Sequence, residues 1–439
     1  MSDSATPGQL LYARLGIDSR KIPLEKRQNY TAVKYFLTVE DEPPSDATNL
    51  EKVKRYLEAL YHLCKLQVWE QMKIVIDESI RIDTKSVSFS LPLYEYLMFK
   101  LLSRNLLEVG EDILISLQDT NIDLSQIIIL KARALYSLDR LSESCVLFEQ
   151  VRSYSWNNSE IYIEATGRLG MSQVQSELYE EGILNLNNAL KMMEDYINYN
   201  PDWERSLICL GLKADILSNM AYWEMKKLNL EKAQNLYSEV IEICSQNGMF
   251  YKLVNPLIHQ GVILRKKRHY SESLFNLEQA RKKAEEIGDE NANIGIGHHK
   301  AWVYLNQRKY HQAEVECLIS FEEYNKIEDQ RGITDSYEQL GFIFLEKGKV
   351  DDAARNFEIA LKRRKDTGKL QGAASCLMGL AVVSLRKGRL LKFIKTLIQG
   401  LMLYQKVGVL NHRRILRMLR LSYELLPLWI GFRRKNRSQ

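Results

Sequence analysis

Small and apolar residues recur every 40 positions through the second half of this chain. Each set begins with a small residue, at Ala221, Gly261, Ala301, Gly341 and Ala381. An apolar or aromatic residue follows nine positions later in every set, and in four of the five sets another small residue comes three positions after that. A fixed period of this length indicates a stack of similar supersecondary units, none of which buries its apolar face alone. The pattern therefore predicts an α-solenoid.

Turn residues in the same register divide each unit into two helices. Glycines fall where the second helix of a unit should end, at Gly248, Gly288, Gly368 and Gly408. Glycine suits a left-handed position after a helix because it has no Cβ. Only Glu328 breaks this series, and the short turns at 347–349 and 387–389 separate the first helix of a unit from the second. We predict a helix–turn–helix hairpin for each unit.

One stretch shows which kind of hairpin this is. Residues 340–354 read LGFIFLEKGKVDDAA, with the small, glycine, aromatic and alanine positions in order. This stretch resembles a tetratricopeptide repeat, and residues 301–320 and 381–400 are similar to it. The common unit has about 34 residues, so a longer unit implies two helices that are each extended by about one turn. Lengthened repeats of this kind resemble the arrays of kinesin light chains and of bacterial regulatory and signalling proteins.

The same template extends towards the N-terminus with less regularity. Its anchors there are Leu60, Leu97, Ala132 and Gly170, and with the five regular units they make nine predicted hairpins. The long step from Gly170 to the next anchor predicts an insertion near 199–202. The resemblance implies an all-α fold, a right-handed superhelical α-solenoid of about nine hairpins with a C-terminal capping helix.

Four segments follow from this reading. We expect a partly ordered lead-in at 1–48, divergent hairpins at 49–205, regular 40-residue repeats at 206–408, and a basic amphipathic capping helix with a tail at 409–439. The 439-residue chain is 45% hydrophobic and 27% charged, which supports an ordered core.

Composition also bears on location. The N-terminus is polar and lacks the apolar core of a signal peptide, and no run of 18 apolar residues predicts a spanning helix. The six cysteines are scattered without a close pair, which suits a reducing cytosol. We therefore expect a cytoplasmic protein.

The sequence contains none of the common catalytic motifs. A GxxxxGK[ST] phosphate loop is absent, as are HExxH, CxxC and GxSxG. His298 and His299 are adjacent, but neighbouring side chains on a helix point about 100° apart and do not form a metal site unaided. We expect no enzymatic activity, no cofactor and no metal.

In tetratricopeptide arrays the first helix of each hairpin lines a concave groove, and the residue just after the small anchor faces into it. The matching row in this chain is Tyr222, Val262, Trp302, Phe342 and Val382. Nearby positions on the same helices add Arg265, His298, Leu305 and Leu345. The resemblance implies that these nine residues bind a partner.

The chemistry of this row implies the kind of partner. Members that bind chaperone tails carry asparagine in the row and lysine before it, and this chain has neither at the matching positions. An apolar and aromatic groove instead suits an amphipathic helix or an apolar extended segment, with Trp302 and Phe342 at its centre. The alternative is that neighbouring helices bury some of these side chains, which then contact no partner.

Charge is concentrated at the C-terminus. From Arg386 onwards there are 14 basic residues and one acidic residue, Glu424, although the whole chain has a net charge of only +5. The predicted basic surface consists of Arg413, Arg414, Arg417, Arg420, Arg433, Arg434, Lys435 and Arg437. A basic amphipathic helix could dock on an acidic protein or lie on an anionic membrane surface, or it could be a solvated cap. Nucleic acid is the partner that we expect least.

Three functions remain open from the sequence. The first is a non-catalytic scaffold, adaptor or regulatory subunit that binds a helix or peptide of another protein in the groove. The second is a peptide-responsive regulator that controls an effector such as a protease, kinase or transcription factor. The third is a membrane-peripheral assembly factor that is anchored by the basic C-terminus.

Overall fold

A computed structural model describes most of the chain. The described residues are 5–39, 43–44, 47–84, 86–120, 122–155, 159–204 and 206–410. Within them the chain forms 21 α-helices, three short 3₁₀ turns and one two-stranded β-hairpin. The chain divides into two compact units, Met1–Ser172 and Gln173–Gln439.

The first unit contains the irregular hairpins. Its elements are α1 (Pro7–Arg14), α2 (Arg27–Thr38), α3 (Lys54–Leu66), α4 (Trp69–Ile76), β1 (Ser79–Asp83), β2 (Ser88–Pro92), α5 (Leu93–Phe99), α6 (Ser103–Leu117), α7 (Ser125–Ser137) and α8 (Leu141–Tyr154). The helix α9 (Glu160–Gln175) follows, and the boundary between the units falls within it.

Helices form within the segment that the sequence suggested to be a partly ordered lead-in. Thr6 caps α1, because its side chain accepts a hydrogen bond from the backbone of Gln9 at 3.2 Å while the Gln9 side chain accepts one from Thr6 N at 2.9 Å. Leu11 of α1 and Val33 and Leu37 of α2 are buried, and α2 packs against α3. These helices therefore add to the core of the first unit.

The β-hairpin is an element that the repeat pattern did not predict. It lies between α4 and α5, where β1 and β2 pair antiparallel with Ser79 opposite Pro92 and Asp83 opposite Ser88. Ile80, Ile82 and Leu91 are buried while their neighbours along the strands are more exposed, which is the alternation expected of a half-buried strand. Each strand has only five residues, too few to stand out from the helical periodicity.

The second unit contains the regular hairpins. Its elements are α10 (Tyr179–Tyr199), α11 (Pro201–Glu204), α12 (Leu207–Lys226), α13 (Leu230–Gln246), α14 (Val254–Lys266), α15 (Tyr270–Ile287), α16 (Glu290–Asn306), α17 (Tyr310–Lys326), α18 (Gln330–Glu346), α19 (Val350–Asp366), α20 (Leu370–Arg386) and α21 (Leu390–Lys406).

The prediction of nine hairpins is confirmed. Each sequence anchor lies on the first helix of a pair, from Leu60 on α3 to Ala381 on α20. The insertion expected after Gly170 is the end of the long α10 together with the short α11. The predicted C-terminal helix and tail lie outside the described residues from 411 onwards.

Small anchors let the two helices of a hairpin approach closely. A Cβ added at Gly261 would lie 2.9 Å from the Leu277 side chain. Ser273 Oγ also donates to the Gly261 carbonyl at 2.7 Å. This short side chain ties the second helix to the first where no bulky residue would fit. The periodic small residues are thus explained by helix-to-helix contact.

The turn positions keep their conformation even where glycine is missing. Positive φ angles recur at the predicted helix ends, including 68° at Gly288 and 69° at Gly368. Glu328, the exception in sequence, has a φ of 55° and so occupies the same left-handed region. The backbone geometry of the repeat therefore overrides the preference of this residue.

Candidate functional site

A cavity of about 590 Å³ lies within the second unit. Its wall is formed by the first helices of successive hairpins, α12, α14, α16, α18 and α20, together with the turn between α9 and α10. Among the described residues, eleven charged side chains line it, along with three histidines and five aromatic residues. The cavity is therefore mixed in character, which corrects the expectation of an apolar and aromatic groove.

Hydrogen bonds between the turn that joins α9 to α10 and the start of α20 close this wall. Tyr179 Oη donates to Gln371 Oε1 at 2.9 Å, and Lys369 Nζ donates to the Gln175 carbonyl at 2.8 Å. The backbone N–H of Gln371 donates to Glu177 Oε2 at 2.6 Å. These partners are more than 190 residues apart in sequence. We call the three bonds the closing contacts.

Cations lie against aromatic rings in the wall. Lys226 Nζ is 4.7 Å from the centre of the Tyr222 ring, one turn earlier on α12. Arg265 Cζ of α14 is 5.6 Å from the centre of the Trp302 ring on α16. Both distances fall within the range of cation–π attraction. At these two positions the aromatic residues predicted from the sequence therefore make cation–π contacts with a lysine and an arginine.

Three histidines in the wall are held neutral. Burial, followed by the nearby Arg265 and Arg364, lowers the pKa of His298 to about 3. Burial also lowers the pKa of His259 to about 4 and that of His299 well below its usual value. A charged imidazole is disfavoured here because it would lose its hydration beside other positive charges.

One of these histidines has a defined tautomer. Trp302 Nε1, which can only donate, lies 3.2 Å from His298 Nε2. His298 Nε2 must therefore accept, and the single proton of the neutral ring is on Nδ1. Within the described part of the chain Nδ1 has no hydrogen-bond partner, although only 8% of the residue is exposed. The wall thus contains a buried N–H group that donates to none of the described residues.

The acidic residues of the wall are bound within the protein. Arg364 pairs with Asp335 and, at 3.5 Å, with Glu338 Oε2. Ser375 Oγ donates to Glu338 Oε1 at 2.5 Å. Burial raises the pKa of Glu338 to about 7, so this carboxyl group is partly protonated at neutral pH. Glu177, the acid of the closing contacts, also has a raised pKa because it is buried.

Two further acids act as helix caps. Asp289 Oδ1 accepts from Ala292 N at 2.9 Å at the start of α16. Asp329 Oδ1 accepts from the backbone N–H groups of Arg331 and Gly332 at 3.0 and 3.1 Å at the start of α18. Their negative charge lies at the positive end of a helix dipole and satisfies backbone donors.

The structure divides the predicted partner-binding residues into two groups. Five of them line the cavity, namely Tyr222, Val262, Arg265, His298 and Trp302. Of the other four, Leu305 and Leu345 are buried in the core clusters between hairpins, whereas Phe342 and Val382 are partly buried and pack against those clusters, as Trp302 also does. The row therefore matches the cavity only as far as α16.

The second group is held by the packing of α18 and α20. Phe342 contacts the Trp302 ring at 5.6 Å and the Phe357 ring at 4.8 Å. Leu305 and Leu345 are 8% and 3% exposed. Large side chains of neighbouring helices fill the interface between hairpins around these residues. The sequence left this open as the alternative in which neighbouring helices bury part of the predicted row. The predicted basic surface, from Arg413 to Arg437, lies outside the described residues.

Sequence reasoning missed most of the charged wall. Most of these residues lie at helix ends and on turns flanking the aromatic row, where the family template gives no guidance. Asp335 and Glu338 instead lie within α18, and Glu338 occupies the position equivalent to His298. One signal was present, because His259 and His299 are 40 residues apart and thus occupy equivalent positions. A polar residue that follows the repeat period on a first helix could have indicated a polar wall.

The described part of the chain offers neither a metal site nor a membrane-spanning helix. No group of three or more His, Cys, Asp or Glu side chains there is arranged to hold a metal ion. None of the helices in that part combines the length and the apolar character needed to cross a bilayer.

The sequence matches no protein-family model and none of the curated proteins. Solved structures do resemble the fold. A Rap protein in complex with competence and sporulation factor has a TM-score of 0.55 at 13% identity, over 82% of this chain and 99% of that one. The Rap conjugation gene regulator of plasmid pLS20, in complex with the Phr* peptide, has a TM-score of 0.52 at 11% identity, over 95% and 99%.

A third similar structure is a signal-transduction ATPase from Pyrococcus horikoshii with a tetratricopeptide repeat sensor. Its TM-score is 0.51 at 14% identity, over 92% of this chain and 56% of that one. At such low identities the likeness concerns the fold. This chain therefore has the fold of a tetratricopeptide-repeat array, with lengthened hairpins like those of bacterial regulatory proteins.

Proposed function

We propose that this protein is a non-catalytic regulatory or scaffold subunit that binds a short peptide segment in the cavity of its second unit. The observation that carries the proposal is the closed wall itself. A volume of about 590 Å³ lies within the range of roughly 300–1,000 Å³ that is typical of ligand sites. Aromatic rings, cations and neutral imidazoles offer both apolar contact and hydrogen bonds to such a segment.

The comparisons favour a peptide over a folded partner. One similar structure contains the Phr* peptide and covers nearly the whole of this chain. A peptide also suits a space that is closed around its circumference, because a bulky partner surface could not enter it. In this proposal the bound peptide changes the affinity of the repeat array for an effector, such as a protease, kinase or transcription factor.

The closing contacts give the peptide a way to act. A ligand in the cavity touches hairpins at both sides of the closure, since Tyr179 and Gln371 are part of the lining. Binding would therefore stabilise the closed arrangement of the second unit, and an effector that distinguishes open from closed arrays would respond.

Filling the cavity tests the proposal. Gly295 lines the cavity, and a Cβ added there meets nothing closer than the Tyr324 hydroxyl at 3.9 Å. Gly295→Leu should therefore occupy the space without a clash at its Cβ. Gln279→Leu, at an exposed position on the second helix α15, adds a leucine outside the cavity and serves as the matched control.

The assay is equilibrium dialysis against a randomised hexapeptide pool, with the retained peptides identified by mass spectrometry. The wild type and Gln279→Leu should enrich the same peptides, whereas Gly295→Leu should not, at equal melting temperatures. Enrichment that is identical in all three proteins would move the site elsewhere, and no enrichment in the wild type would refute the proposal.

A further inference from the structure

We propose that the peptide bound in this cavity carries a carboxylate, which is received beside Lys226 and Arg331 next to Tyr222 and His259. The inference rests on the proposed function and adds the chemical class of its ligand. It follows from the placement of the cations, from the engagement of the acids and from an unsatisfied donor in the same wall.

Positive charge is focused on one part of the wall. The rings of Tyr222 and His259 lie 6.1 Å apart, on α12 and α14. Two cations lower the pKa of both rings through their charge. They are Lys226, on the same helix as Tyr222, and Arg331, at the start of α18. Burial alone would raise the pKa of Tyr222, yet the charges of Lys226 and Arg331 and a hydrogen bond with Lys226 outweigh burial and lower it. The half-buried hydroxyl of Tyr222 thus lies in a field that favours negative charge.

The acidic side chains of the wall do not favour a cationic ligand, because they are already bound within the protein. All five accept hydrogen bonds from the protein: Asp289 and Asp329 cap helices, Asp335 and Glu338 bind Arg364, and Glu177 accepts from the backbone of Gln371. A lysine or arginine of a peptide would have to displace these partners. Glu338 is in addition partly protonated at neutral pH, which reduces the negative charge of the wall.

His298 supplies an independent sign that the ligand is an acceptor. The hydrogen bond from Trp302 to Nε2 places the ring proton on Nδ1, and none of the described residues accepts a hydrogen bond from this Nδ1–H. A buried donor that lacks its hydrogen bond costs free energy, and a carboxylate or peptide carbonyl is the group that would satisfy it. Arg265, which lies against Trp302, adds positive charge at the same point.

The two sources of a carboxylate are a side chain and a peptide C-terminus. Both present the same planar pair of oxygens, so the wall alone does not favour one of them. They can be separated by amidation, which removes the charge of the terminus and leaves an acidic side chain unchanged.

The test uses fluorescently labelled hexapeptide pools that share one randomised apolar background. One fixed position is Glu, Gln or Lys, and each pool is made with a free and an amidated C-terminus. We expect the wild type to bind at least one carboxylate type, either the free C-terminus of the Gln pool or the Glu side chain of the amidated Glu pool, at least about tenfold more tightly than the amidated Gln pool, because hydrogen bonds to charged groups are stronger than neutral ones. Of the three amidated pools, the Lys pool should bind most weakly.

Arginine variants localise the effect. Arg331→Gln, at an exposed position in the lining, should reduce the preference for carboxylates to within about threefold and leave binding of the amidated Gln pool unchanged. Arg355→Gln, on α19 and outside the lining, is the matched control and should keep the preference. The measurement is fluorescence anisotropy at a fixed salt concentration.

The outcomes separate this inference from the proposed function. Equal binding of the Glu and amidated Gln pools, or tightest binding of the Lys pool, overturns the inference while peptide binding stands. Equal losses in Arg331→Gln and Arg355→Gln overturn the assigned position. If no pool binds, both the inference and the proposed function are wrong.

Discussion

The ring of Phe357 on α19 lies between two glycines of neighbouring first helices. A Cβ added at Gly379 on α20 would lie 2.4 Å from Cζ of this ring, and one at Gly341 on α18 would lie 2.7 Å from Cδ1. Favourable carbon contacts lie near 3.5–4.0 Å. Phe357 is fully buried and Phe342 packs edge-on against it at 4.8 Å, so the ring cannot move aside. We predict that Gly379→Ala destabilises the second unit.

Two opposing effects set the size of the loss. Alanine is more favourable than glycine inside a helix by ~0.5–1 kcal/mol. Overpacking a tight core costs ~1–3 kcal/mol, so the net loss should be ~1 kcal/mol and at most ~2.5 kcal/mol. At Gly211 on α12 an added Cβ meets nothing closer than 3.5 Å. Gly211→Ala should therefore show the helix preference alone and raise the free energy of unfolding by ~0.5–1 kcal/mol.

Urea unfolding followed by far-UV circular dichroism measures both variants. A further variant tests the mechanism, because Phe357→Leu makes room for the new methyl group. Phe357→Leu and Gly379→Ala should each destabilise the protein alone, and the double variant should lose less than the sum. If Gly379→Ala is as stable as Gly211→Ala, or if the two losses simply add, the proposed clash is not the cause.

Three more predictions follow from named contacts. Glu328→Gly should raise the free energy of unfolding by ~1 kcal/mol, because it relieves a left-handed backbone, and Gly288→Ala should lower it by a similar amount; equal thermal melts for Glu328→Gly and the wild type would contradict this. Lowering the pH from 7 to 5 should destabilise the protein, because the pKa of His298 is about 3 when folded against 6.5 when unfolded, so the unfolded chain takes up the proton first. This histidine alone should lower the free energy of unfolding by ~2 kcal/mol. Glu338, with a folded pKa of about 7, acts in the opposite direction, but the three histidines outweigh it; a His298→Gln variant with an undiminished drop in urea midpoint would refute the assignment. For the closing contacts, a double-mutant cycle of Tyr179→Phe and Gln371→Leu should give a coupling of ~1 kcal/mol, and strictly additive effects would show that this hydrogen bond contributes nothing.

The repeat architecture could be predicted because it is local. A hairpin is specified by small residues, turns and helix ends within 40 positions, and all nine anchors lie on first helices. The β-hairpin after α4 could not be predicted from this pattern, because it is a single insertion that follows a different period.

The site was predictable only in part. Tyr222 and Trp302 were identified through their position after an anchor, and both line the cavity. Phe342 occupies the equivalent position one unit later, but it packs against the ring of Phe357. The residue equivalent to Phe357 in the preceding unit is the smaller Cys317, so Trp302 has no such ring to pack against there. The charged wall collects side chains from several hairpins, and the closing contacts join groups more than 190 residues apart, which no short sequence window compares.

Closing the wall changes how the second unit should lose its structure. In an open repeat stack the end units have one neighbour each and fray first. Here the turn at 175–179 and the start of α20 are neighbours of each other. The three bonds offer ~3 kcal/mol together, and joining the ends of a flexible loop of this length would cost ~4–5 kcal/mol, a figure that the stiffness of the packed helices lowers. The two terms are of similar size, so the closing contacts add little net free energy. If the cavity binds a peptide as proposed, even a ligand of modest affinity would change the fraction of molecules in which these contacts are made.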